Sequence, residues 1–269
     1  MIDFDNLVKT YNKKGIATPK KEMIKTKEQI EGIKKAGIIN TMVLDYVSEN
    51  IHVGMTTEDI NTLVHTKTLE LGGTPAPLNY QGFPKSVCTS INDQVCHGIP
   101  SSDVILKDGD IINVDCTTIV DGFYADASRM FLIGNVSEKH KKLVNVTKEC
   151  LDLAVASLKP FGRLGDIGYA IETHAKKNGY SVVRNIGGHG VGIEFHEDPF
   201  IYHFGKKNTG MVLFPGMIFT IEPMINEGTS KVFLDAQNEW TIYTWDGGYS
   251  AQYEYTVLIT EDGVEILTH

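Results

Sequence analysis

The 269-residue chain lacks any C-x-x-C pair among its four cysteines, Cys88, Cys96, Cys116 and Cys150. That argues against a structural zinc knuckle and against a disulfide framework. Scattered free thiols suit a reducing compartment, so a cytoplasmic protein is expected. An excess of positive charge is also missing. The formal net charge is -9, which does not suit bulk or specific nucleic-acid binding. Finally, there is no long apolar run. The longest, Met211 to Ile225, is interrupted by Pro215, Gly216, Glu222 and Pro223 and is too short to span a bilayer. No apolar stretch follows the first charged residues, so neither a secretory signal nor a membrane partner is expected.

What remains has the composition of an ordinary globular protein, 42% hydrophobic and 22% charged. A chain of this length can fold as a single α/β unit whose core is large enough to enclose polar groups. Charge is unevenly spread. Residues 1–27 carry Lys9, Lys13, Lys14, Lys20, Lys21, Lys25 and Lys27 against Asp3, Asp5 and Glu22, a net +4. Residues 1–25 also show little periodicity, so they are expected to form a basic N-terminal arm ahead of one domain over 26–269. Such an arm is only a weak match to an RNA-rich partner such as the ribosome; a solvated tail explains scattered lysines better.

Periodicity divides the rest. Ile30, Ile33, Gly37, Thr41, Leu44 and Val47 recur at helical spacing. Thr56-Thr57-Glu58-Asp59 opens a second helix that runs to Leu71 and stops at Gly72-Gly73. Ile111–Val120 and Phe123–Ile133 flank Asp121-Gly122, a two-residue hairpin signal. A third helix is expected from Ser137 to before Pro160 and a fourth from near Asp166 to Gly179. Strands follow, including 217–226, 239–245 and 251–260. The order helix, helix, strands thus occurs twice. The openings Val53-Gly54-Met55-Thr56 and Phe161-Gly162-Arg163-Leu164, each continuing to an aspartate and an isoleucine, suggest an internal duplication.

Several charged residues sit where charge is costly. With the hairpin turn at 121–122, Asp115 falls opposite Ser128 and Asp126 opposite Thr117. The two aspartates are then diagonal neighbours on one face. Facing carboxylates repel unless one keeps its proton or a cation lies between them; this pair alone allows either. Glu222, in Met217-Ile218-Phe219-Thr220-Ile221-Glu222-Pro223, and Glu254, in Ser250-Ala251-Gln252-Tyr253-Glu254-Tyr255, also interrupt β-prone runs. Taken singly, each could equally face outward from a surface strand. His189 lies among glycines in Gly187-Gly188-His189-Gly190-Val191-Gly192, with His196 following in Phe195-His196-Glu197. On one unbroken strand the two histidines would face opposite sides, so either the chain bends or they have different jobs. Four carboxylates and one imidazole balance two divalent ions. An oxygen-rich shell fits Mn, Fe, Co or Zn at a catalytic site, without fixing which metal.

Five segments together resemble the type I methionine aminopeptidases: V-C-H-G-I-P at 95–100; N-V-D-C-T at 113–117 with D-G-F-Y-A-D at 121–126; G-G-H-G-V-G at 187–192 with F-H-E at 195–197; F-T-I-E-P at 219–223; and S-A-Q-Y-E at 250–254. Each is modest alone, but all five in this order are specific, and the resemblance covers about residues 25 to 269. It implies the α/β (α+β) pita-bread fold, a pseudo-two-fold curved antiparallel sheet with two helix pairs on its outer face. It implies a monomeric aminopeptidase that removes initiator methionine from nascent polypeptide N-termini and prefers a small second residue. Asp115, Asp126, His189, Glu222 and Glu254 would hold two divalent ions, with Asp126 and Glu254 shared between them. Glu222 would shuttle a proton, His196 would stabilise the oxyanion and His97 would bind the scissile amide. Tyr80, Phe83, Cys88, Phe195 and Trp240 match the family's methionine pocket.

The sequence departs from bacterial relatives at Ile193-Glu194, where Arg-Gly is usual, and at Tyr255, where His is common. The resemblance implies altered preference beyond the first residue, or altered surroundings of Glu254. A proline-specific aminopeptidase or prolidase shares the fold and the metal shell, but usually carries a large extra N-terminal domain. A non-catalytic ribosome-binding relative would have lost ligands, and all five are present here.

Overall fold

The computed structural model describes residues 4–269; Met1, Ile2 and Asp3, the start of the expected arm, lie outside the described residues. The next part of the arm is helical. Phe4–Asn12 forms α1, with the rings of Phe4 and Tyr11 at 5.9 and 5.8 Å from that of Phe214. A helix this short is marginal by itself and forms here by packing, which explains its weak sequence signal.

Four longer helices come in two pairs: α2 (Lys27–Asn50) with α3 (Thr57–Glu70), and α4 (Glu138–Ser157) with α5 (Leu164–Lys177). Hydroxyl caps fix three starts. Thr26, Thr56 and Ser137 accept the backbone N–H of Gln29, Asp59 and His140. The fourth helix starts at Leu164 rather than at Asp166. Asp166 sits inside the first turn, where it accepts the N–H of Arg163.

Between the pairs run β1 (Thr74–Pro75), β2 (Cys88–Ile91), β3 (Gln94–Cys96), β4 (Ile111–Val120) and β5 (Phe123–Leu132). After α5 come β6 (Ser181–Val182), β7 (Gly188–Gly190), β8 (Glu197–Ile201), β9 (Ile218–Ile221) and β10 (Met224–Asn226). The chain ends with β11 (Val232–Leu234), β12 (Ile242–Thr244), β13 (Ser250–Gln252), β14 (Glu254–Ile259) and β15 (Val264–Ile266). One antiparallel sheet has the order β1-β4-β5-β14-β9-β7-β8, with β2 added on β4 and β15 on β14. Two small sheets, β13-β10-β6 and β11-β12-β3, flank it.

The expected strands 217–226 and 251–260 each break in two, at Glu222-Pro223 and at Tyr253. Proline has no N–H for a ladder, and the break lets the chain pass from one sheet to another. β9 pairs with β14 in the large sheet, while β10 pairs with β13 in the small one. Glu222 and Glu254 stand at this crossing.

The internal duplication is visible in backbone hydrogen bonds. In the first half Gly54, Thr57 and Leu106 donate to Leu106, Val104 and Met55. At a constant sequence offset, Phe161, Leu164 and Leu213 donate to Leu213, Met211 and Gly162 in the second half. Single bridges Thr56–Ile105 and Arg163–Val212 repeat the match.

Strand alternation then separates core from site. Ile112, Val114, Cys116 and Ala127 face the α2–α3 pair, packed with Val43, Leu44, Val47, Ile60 and Val64. Phe219, Ile221, Val257 and Ile259 face the α4–α5 pair, with Leu143, Leu151, Ile167 and Ile171. The residues that alternate with them, including Asp115, Asp126, Glu222 and Glu254, are thereby turned to the opposite face of the sheet.

Candidate metal centre

Asp121 and Gly122 have φ of 50° and 82°, the paired positive values of a tight hairpin turn. The register follows from it: Asp115 lies opposite Ser128, Asp126 opposite Thr117, and Glu254 of β14 on the other side of Ser128. His189 arrives on β7, which is wedged between β8 and β9. A Cβ on Gly188 would stand 2.4 Å from the Thr220 carbonyl oxygen, and one on Gly190 would stand 2.2 Å from that of Asp198. Only glycine allows that approach. The loop after Gly192 turns back, so the rings of His189 and His196 lie 4.2 Å apart and share one cavity.

Ligand atoms of Asp126, His189 and Glu254 all lie within 4.8 Å of one another. His189 Nε2 is 3.8 Å from Asp126 Oδ2 and 3.7 Å from Glu222 Oε1. Asp115 lines the same cavity. Neighbours orient each group. Thr117 donates to Asp126 at 2.8 Å. Thr220 and Gln252 donate to the two oxygens of Glu222 at 3.0 and 3.1 Å. The Glu222 backbone N–H donates to Nε2 of the buried His203 at 3.2 Å.

The electrostatics call for a cation. Burial raises the proton affinity of all four carboxyls, Asp115 to about 7, and mutual repulsion raises Asp126, Glu222 and Glu254 further. Burial also lowers His189 to about 3, so its ring is neutral. Its Nδ1 lies 2.9 Å from the Gly190 carbonyl and must donate to it, which leaves the lone pair of Nε2 aimed at the carboxyls. Among the described residues no lysine or arginine forms an ion pair with any of these four acids; the basic side chain within 4 Å of Asp126 and Glu222 is the neutral His189. A lone pair and four acid groups converging without a positive charge form a set of donors that fits divalent ions.

Above them lies a cavity of about 640 Å³. Each expected pocket residue, Tyr80, Phe83, Cys88, His97, Phe195, His196 and Trp240, lines it. One wall sets Phe83 edge-to-face against Trp240, ring centroids 5.2 Å apart, with His97 at 6.3 Å from Trp240. The other packs Tyr80 against Phe195 in a tilted pair at 4.7 Å, and the Tyr80 hydroxyl lies 2.9 Å from His196 Nδ1. His97 has a left-handed backbone, φ 57°, and burial lowers its ring to about 4.

Sequence reasoning gave no role to Thr220, Gln252, His203, Lys25 or Glu197. The first three act through contacts made only in the folded chain. Lys25, counted as part of a solvated arm, is 5% exposed and ion-paired to Glu197. The other oxygen of Glu197 accepts the N–H of Ile193 and of Glu194 at 2.7 and 3.0 Å. The unusual Ile193-Glu194 pair therefore meets Glu197 through its backbone. Tyr255 turns away from the site: it packs on His269, ring centroids 5.8 Å apart, beneath Lys148. Its effect on Glu254 is accordingly indirect.

A curved sheet with helix pairs outside, and with carboxyls and an imidazole gathered under an aromatic cavity, defines a metal-dependent hydrolase of the pita-bread class. The chain belongs to metallopeptidase family M24, whose profile matches residues 31–261. It is 50% identical to methionine aminopeptidase A of Synechocystis over 244 residues, covering 90% of this chain and 96% of the relative. The crystal structure of methionine aminopeptidase from Rickettsia prowazekii superposes with a TM-score of 0.90 at 45% identity, covering 91% and 99% of the two chains. A prolidase from Pyrococcus furiosus is less similar, 27% identical with a TM-score of 0.69, and this chain covers 65% of it.

Proposed function

We propose that this chain is a metallo-aminopeptidase that releases N-terminal methionine from nascent polypeptides, with two divalent ions held by Asp115, Asp126, His189, Glu222 and Glu254. The observation that carries this reading is the meeting of His189 Nε2 with buried carboxyls at the base of an aromatic cavity. Bound there, divalent ions supply Lewis acidity that activates water and polarises a carbonyl near neutral pH.

The chain's own groups do the rest. As a carboxylate fixed by Thr220 and Gln252, Glu222 is placed to take a proton from water and pass it to the departing amine nitrogen. With the Tyr80 hydroxyl as donor to His196 Nδ1, 2.9 Å away, the ring would carry its proton on Nε2, free to point at the developing oxyanion. His97, kept neutral by burial, can hydrogen-bond the scissile amide. Phe83, Trp240, Cys88, Tyr80 and Phe195 enclose an unbranched thioether side chain, which tolerates such polarisable walls.

The test is turnover of Met-Ala-Ser by chelator-stripped protein titrated with Mn, Fe, Co or Zn. Methionine release should appear with added metal and exceed cleavage of Xaa-Pro peptides. Preference for Xaa-Pro, or no release with any metal, would overturn the reading.

A further inference from the structure

β8 is the last strand of the large sheet, and the chain bends just beyond it at His203 and Phe204. Alternation along 200–204 is strict. Ile201 and His203 are buried at 1% each, whereas Phe200 and Tyr202 are 43% and 57% exposed. The outward rings form a ladder: Phe200 and Tyr202 have centroids 4.7 Å apart, Tyr202 and Phe204 5.4 Å. The Arg184 guanidinium caps its far end, 4.3 Å from the Phe204 ring. The near end opens into the site, because Phe200 lines the cavity together with Ile186 and Gly187. Large exposed aromatic surfaces of this kind mark contact sites, and tyrosine suits one because it buries apolar area at low entropy cost.

We propose that this ladder extends the substrate site and binds the polypeptide downstream of the cleaved bond, as an extended segment carrying apolar or aromatic side chains. The inference rests on the aminopeptidase reading given above. The occupant follows from continuity: the cavity holds the first residues of the substrate, the remainder must leave through its open side, and Phe200 belongs to both cavity and ladder. From Phe200 to Phe204 the ladder matches roughly three residues of extended chain at about 3.3 Å each. A tripeptide would fill the cavity without reaching Tyr202.

The experiment compares kcat/KM of the metal-loaded enzyme for Met-Ala-Ser, for the same peptide extended by Gly-Gly-Gly, and for it extended by Phe-Val-Phe. The apolar extension should raise kcat/KM about threefold to tenfold over the glycine extension. Tyr202→Ser should remove that gain, and Tyr202→Phe should keep it. A gain that is absent, or that survives Tyr202→Ser, overturns the inference while methionine release from Met-Ala-Ser leaves the aminopeptidase reading standing. No release from any peptide overturns that reading instead. A concentration-dependent dimer that Tyr202→Ser dissolves, with no effect of peptide length, would assign the ladder to a second copy and also overturn the proposal.

Discussion

Thr220 illustrates how one small side chain organises the site. Its hydroxyl accepts the His189 N–H and donates to Glu222 Oε1, both at 3.0 Å. Thr220→Val keeps the shape and the strand propensity but removes both bonds. Divalent-metal affinity should fall about 10- to 100-fold with the fold retained, as measured by competition against a chromophoric chelator. Unchanged affinity would put Glu222 and His189 outside the metal shell. Asp126→Ala is more severe, since it removes one of the carboxyls proposed to hold the metal. Turnover of Met-Ala-Ser should vanish even with excess Mn, and near-normal activity would contradict the scheme. The diagonal placing of Asp126 beside Asp115 was legible in the hairpin register, whereas Glu254 taken singly could equally have faced outward from a surface strand. His203 and Gln252 were not legible. They reach Glu222 from other segments, and no local pattern encodes such a meeting.

At the scale of elements, the hairpin β4–β5 could be read to the residue, because the turn at Asp121-Gly122 sets its register. The breaks in the later strands were harder to see: a β-prone run gives no warning that its two ends join different sheets. The loop bearing Phe195 and His196 depends on a contact that composition misassigned. Lys25 holds Glu197, which in turn holds the backbone of Ile193 and Glu194. Lys25→Met keeps the aliphatic stem and leaves Glu197 without its cation. Breaking a largely buried pair in this way costs about 3–5 kcal/mol. Adding Glu197→Gln should recover part of that loss, since no charge is then left unpaired. Thermal melts of the wild type, the single and the double variant decide this, and a single variant melting like the wild type would rule the anchor out. If the anchor positions His196, kcat/KM for Met-Ala-Ser should also fall while metal affinity stays unchanged.

The whole molecule stores its metal requirement as a dependence on pH. In the metal-free fold, four buried carboxyls keep protons that the unfolded chain releases above its ordinary values near 3.8 and 4.5. On that account folded protein binds more protons, and stability falls as pH rises. Buried imidazoles act in the opposite direction. His97, His189 and His203 are lowered to about 4, 3 and 3, so below 6.5 the unfolded chain binds more protons and stability rises with pH. The two trends oppose each other up to 6.5; above it the imidazoles are neutral in both states and only the carboxyls remain. Chelated protein should therefore lose stability between pH 6.5 and 8, by up to about 1.4 kcal/mol per pH unit for each proton retained. Divalent ions displace those protons, so the stabilisation by a fixed excess of Mn should grow with pH over the same window, reaching about 2.7 kcal/mol where the free ion is at 100 times its dissociation constant. Melting curves at pH 6.5 and 8.0, with chelator and with Mn, measure both effects. If the chelated protein grew more stable with rising pH, the four acids could not be facing one another without a cation, and the metal centre would have to lie elsewhere.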